Sequence, residues 1–119
     1  MKSFSQFIIE SSEDDLHSKD FVKFSAHVHK QVGGKGKHTW GVSSRDKYYA
    51  IHDNPNPKKA KSFADSLKDK GFSHTSSESK HFTTGETITH HTYTHPKTNA
   101  KVYMSHDEDG KIKEVHTNE

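Results

Sequence analysis

Residues 56–72 carry a helix whose start, buried stripe and stop are all legible, and that helix limits the folds open to the rest of the chain. Asn56 is a strong N-cap, and Pro57 suits the first helical position, where its missing N–H has no intrahelical partner to lose. Ala60, Phe63, Ala64 and Leu67 form one apolar stripe, while Lys58, Lys59, Lys61, Lys68 and Lys70 stay solvated. Gly71 supplies the left-handed residue of a C-cap, and Phe72 can fold back onto the last turn. A single amphipathic helix at 57–70 needs an apolar surface to cover. The flanking segments offer a sheet.

In 21–28 the period is two, with Val22, Phe24, Ala26 and Val28 on one side and Lys23, Ser25, His27 and His29 on the other, which predicts a half-buried strand. Gly33-Gly34-Lys35-Gly36-Lys37 then reads as a flexible basic turn, since it lacks the Gly-Lys-Ser/Thr ending of a phosphate loop. Residues 39–42 and 47–51 read as two further strands, and such short connections predict an antiparallel meander. Beyond the helix, 73–82, 87–95, 101–106 and 111–116 are strand-like, and Asp109-Gly110 suits a tight hairpin between the last two. Ile88 and Tyr93 have opposite parity, so burying both requires a bulge near His90-His91. The expected class is α+β: a small antiparallel sheet of meander and hairpins, with one capped helix packed on one face.

A chain of 119 residues suits one domain, and with only 27% hydrophobic residues its core must be thin. Residues 18–117 are assigned to that domain and the acidic, serine-rich 11–17 to a linker. Residues 1–10 form a separate amphipathic peptide in which Phe4, Phe7 and Ile8 share one stripe. A formal charge of +2 argues against a dedicated nucleic-acid packer. The lack of Cys excludes disulfides, iron–sulfur clusters and thiolate zinc sites. No apolar run approaches the roughly 20 residues of a membrane span, so a soluble protein without a membrane partner is expected.

Twelve histidines make histidine motifs cheap. The H-x-[ST] pattern of two-histidine phosphoesterases occurs at His74, His81 and His90, about as often as composition alone produces. His27 and His29 would share a strand face, and His90, His91, His95 and His106 would have to converge to hold zinc or nickel. Solvated strand-face histidines are the preferred reading, and no metal or cofactor is expected. Lys58-Lys59-Ala60-Lys61 is close to the Lys-Lys-x-Ala-Lys helix start of double-stranded RNA-binding domains, which makes Lys58, Lys59 and Lys61 the candidate nucleic-acid contacts.

The opening residues, Met1-Lys2-Ser3-Phe4, then Phe7-Ile8, then Ile8-Ile9-Glu10, resemble the capsid-targeting propeptides of internal head proteins in large contractile-tailed bacteriophages. That resemblance implies docking on the phage head scaffold through Phe4, Phe7 and Ile8, and cleavage after Glu10 by the prohead protease. It further implies residence in the head interior and, after injection, in the host cytoplasm, with a host protein or packaged DNA as partner. The C-terminal half resembles HicA-type toxins, which have a double-stranded-RNA-binding-like fold, through Gly71-Phe72, Thr89-His90-His91-Thr92-Tyr93-Thr94-His95-Pro96 and Val102-Tyr103-Met104-Ser105-His106. Ile88 stands where that family has Gly, and the connection from Phe72 to His90 is longer. Two expectations follow. The first is a non-enzymatic, head-associated virion protein; the alternative is an RNA-binding protein or metal-independent ribonuclease. In the alternative, His90 is the general acid/base, because an imidazole near its ordinary pKa can both take and give a proton.

Overall fold

The computed structural model describes residue 16 and residues 19–34, 39–42, 47–52 and 54–119. Two helices, α1 (Phe21–Gln31) and α2 (Pro57–Asp69), lie with six strands: β1 (Thr39–Val42), β2 (Tyr48–Ile51), β3 (Ser73–Lys80), β4 (Thr87–Thr94), β5 (Lys101–His106) and β6 (Ile112–Asn118). All strand pairs are antiparallel, in the order β1-β2-β6-β5-β4-β3. The class is the expected α+β. Strands β3 to β6 form a meander, and the β1–β2 hairpin extends it by pairing β2 with β6.

The expected helix is present with its punctuation. The Asn56 side chain accepts from the Lys58 and Lys59 N–H groups, and Pro57 occupies the first turn. At the other end Gly71 has φ +90°, and the Gly71 and Phe72 N–H groups donate to the Lys68 and Leu67 carbonyls, a complete Schellman closure. Ala60, Phe63, Ala64 and Leu67 are buried, as their spacing requires.

Residues 21–28 are a helix, not the expected strand. Phe21, Phe24, Ser25 and Val28 follow the i, i+3, i+4, i+7 rule and are buried, whereas Val22, an inward position of the alternating pattern, is 60% exposed. Ser25 and His27 are buried polar residues, and this disguised the helical stripe. Asp20 caps the start by accepting from the Val22 N–H at 2.9 Å. Gly33, at φ +68°, closes the end in a second Schellman arrangement, so the glycine turn is in part a helix terminator. The meander expected to begin at residue 21 therefore begins elsewhere, and the described residues hold a helix there in addition to the expected one.

Two smaller expectations also change. Strand β4 pairs without interruption with both neighbours, so there is no bulge at His90-His91. Tyr93 faces the core while Ile88 stays half-exposed on the opposite face, and the sheet places its irregularity between Ser105 and His106 instead. Leu16, assigned to the linker, is fully buried in the core with Phe24, Val28, Leu67, Val102 and Val115. The targeting-peptide residues Phe4, Phe7, Ile8 and Glu10 lie outside the described residues.

Candidate nucleic-acid interface

Both helices lie on one face of the sheet, and their outer surface concentrates positive charge. Across residues 19–34 and 56–71 there are eight lysines against three aspartates, although the whole chain carries only +2. The lysines are not evenly spread. On α2, Lys59, Ser62, Phe63, Ser66 and Lys70 recur at helical spacing and face the end of α1 across an open groove of about 700 Å³. Lys58 and, from α1, Lys30 and Gln31 complete the lining. No carboxylate among the described residues lines it.

The junction of the helices is set by backbone contact. Asn56 N–H donates to the Val32 carbonyl at 2.8 Å, and Gly33 lies so close to α2 that a Cβ there would stand 2.9 Å from Asn56 Cβ and from Lys59 Cδ. The Lys58 and Lys59 amide donors at the α2 N-terminus are occupied by the Asn56 side chain, so the groove's positive groups are lysine ammoniums rather than backbone amides. Eleven residues of helix separate Lys59 from Lys70, about 17 Å, comparable to about five phosphates of one duplex strand along its axis.

Lys61, the third lysine expected from sequence, faces the other flank of α2. There Lys61, Asp65 and Lys68 border a second groove with His74, His91, Tyr93, Met104 and His106. The three imidazoles come from adjacent strands β3, β4 and β5 and meet along diagonals, because His74 pairs with Tyr93 and His91 with Met104. His74 Nε2 is 2.8 Å from His91 Nδ1, and His91 Nε2 is 2.9 Å from His106 Nδ1. The ring planes are near parallel, at 17° and 29°. Burial pushes the His91 pKa below its ordinary 6.5, helped by the charges of His106, His74, Lys68 and His90. His74 is lowered by burial and by Lys68.

His90 sits on the opposite side of the sheet. Its Nε2 is 2.7 Å from Ser79 Oγ, its Nδ1 is hydrogen-bonded to the Tyr103 hydroxyl, and Tyr103 also packs against His116. The sheet thus separates His90 from Lys58, Lys59 and Lys61 on α2. His95 is apart from both: it is buried against Phe72, and its Nδ1 accepts from the Lys97 and Thr98 N–H groups in the β4–β5 turn. His90, His95 and His106 accordingly occupy three different environments.

The strand-face pair His27 and His29 also dissolves, because two residues along a helix turn about 200°. His27 packs edge-on against Phe63 at 6.3 Å. His29 Nδ1 is 3.1 Å from Nδ1 of His52, which continues through Thr117 to Ser25 in a buried chain. A hydroxyl beside a histidine has the parts of a nucleophile, but Ser25 and Thr117 have no exposed surface, so this chain is a polar tie of α1 to β2 and β6. Among the described residues no three histidine or carboxylate ligands converge on a point that would hold a metal ion. No described helix is long and apolar enough to cross a membrane.

Comparison with protein-family models, curated proteins and solved structures finds no match.

Proposed function

We propose that this chain is a non-enzymatic, head-associated protein of a bacteriophage that binds packaged duplex DNA through the lysines of α1 and α2. The observation that carries the binding reading is the α1/α2 groove, which Lys30, Lys58, Lys59 and Lys70 line along its length with no carboxylate among the described lining residues. A groove lined with lysines carries a positive potential along its length, and a polyanion laid in it gains further by releasing its own counterions. Location in the phage head rests on the likeness of residues 1–10 to head-targeting peptides. The prohead protease and head scaffold are then transient partners, and DNA is the lasting one.

Backbone recognition of this kind is indifferent to base sequence and sensitive to salt. Fluorescence anisotropy with duplex oligonucleotides of unrelated sequence should give similar affinities that fall steeply with salt. Lys59→Ala and Lys70→Ala should each reduce the slope of log K against log salt by about 1. Affinity independent of salt, or unchanged in the doubly substituted chain, would refute the binding surface. In purified virions, a peptide beginning at Ser11 is the expected trace of head targeting, and absence of the chain from virions would remove the location.

A further inference from the structure

Hydrogen-bond bookkeeping sets how many protons the chain His74–His91–His106 can hold. A neutral imidazole has one N–H and one bare nitrogen. Three neutral rings carry three protons: one lies in each of the two N···N bonds, and the third sits on an outer nitrogen, His74 Nδ1 or His106 Nε2. A fourth proton fills the other outer nitrogen, leaving both internal bonds intact and the chain at +1. That charge can pass between rings by moving a proton within an existing bond. A fifth proton has no place except inside a bond, where two N–H groups would face each other.

The chain faces the lysine-bearing flank of α2. Around it stand Lys61, Asp65 and Lys68 from α2, Tyr93 from β4 and Glu78 on the same face of β3. At the end of β5, Asp107 is engaged by Lys113 at 3.6 Å. Lys68 opposes protonation of His74 and His91 in the free protein, and Lys61 lines the same groove. A phosphate backbone laid across those two lysines reverses that field.

We infer that His74, His91 and His106 form a one-proton acceptor that regulates DNA binding on α2, taking up a single proton when duplex DNA covers Lys61 and Lys68 and strengthening the complex on acidification. This rests on the DNA-binding reading above, extends the contact across α2 from the flank of Lys59 and Lys70 to that of Lys61 and Lys68, and assigns its regulation. Linkage fixes the limit: one proton taken up gives at most a tenfold gain in affinity per pH unit.

The test is binding of duplex DNA to the full chain at about pH 8 and about pH 5.5, with proton uptake measured by calorimetry in buffers of different ionisation enthalpy. The expected result is that His91→Gln keeps the affinity measured at the higher pH but loses up to one proton of uptake and most of the gain at the lower pH. His116→Gln, on the opposite face, keeps both. Should His91→Gln disturb folding, His74→Gln shortens the chain from its end and should give a smaller loss of the same sign. DNA binding with equal proton uptake in wild type, His91→Gln and His74→Gln overturns the inference and leaves the DNA reading standing. No DNA binding by wild type at either pH overturns both.

Discussion

Gly33 and Gly71 both end helices at positive φ, yet they differ in what surrounds them. At Gly71 a Cβ would meet only Pro96 Cγ at 4.0 Å, so Gly71→Ala pays for the left-handed backbone alone, about 1–2 kcal/mol. At Gly33 the same Cβ would collide with Asn56 Cβ, a rigid atom at the start of α2. Gly33→Ala should therefore be the more destabilising of the two in urea denaturation. It should also weaken DNA binding by displacing Lys59 from Lys30, whereas equal costs at the two sites would mean that α1 and α2 are not clamped at this point. Neither distinction is visible in the sequence, where both positions read as punctuation.

At the scale of elements, capping and turn chemistry explain why most segments were legible. Asn56→Ala removes the acceptor for two amides and should cost about 1 kcal/mol by thermal or chemical unfolding. Asp107 plays the same part for the β5–β6 hairpin, accepting from the Lys111 and Asp109 N–H groups beside Gly110 at φ +82°. Those bonds, the Lys111 one first, and nearby Lys113 hold its carboxyl below the ordinary 3.8. Its contribution to stability is full above that value and lost as pH falls through the lower folded-state pKa. Asp107→Asn should accordingly lower the Tm at neutral pH and have little effect in strong acid. The histidine chain gives a second pH dependence. His74 and His91 bind protons more weakly folded than unfolded, so their stabilising share is complete above 6.5 and is lost as pH drops through their depressed values. The urea midpoint should fall between about pH 7.5 and about pH 5.5, and fall less in His91→Gln; an unchanged slope would contradict the burial of that ring. The one element misread, α1, had matches to both periods, and its buried Ser25 and His27 made the extended reading look cleaner.

Over the described residues, charge is concentrated in a way the formal +2 conceals. The helix layer is strongly basic, whereas the other described residues carry six lysines against seven carboxylates. Association with a polyanion should therefore be oriented, helices first, and steered at low ionic strength despite the small net charge. The core that holds this layer on the sheet is thin, and a cavity in it has few neighbours to close over it. Phe24→Ala, at a fully buried position shared by α1 and the sheet, should cost about 3–5 kcal/mol and release the helix layer, detectable as loss of cooperative unfolding.

The sequence alone determined the second helix with both its ends, the four C-terminal strands and the hairpin at Gly110, because caps, stripes and turns are settled among residues a few positions apart. Tertiary structure decided which face each histidine occupies, since strand register assigns faces and a shift of one residue inverts them. That is how His91 came to join His74 and His106 while its neighbour His90 went to the far side with Ser79 and Tyr103. The lysine groove has the same origin: Lys30 and Lys59 belong to helices that meet only because Gly33 lets their backbones approach.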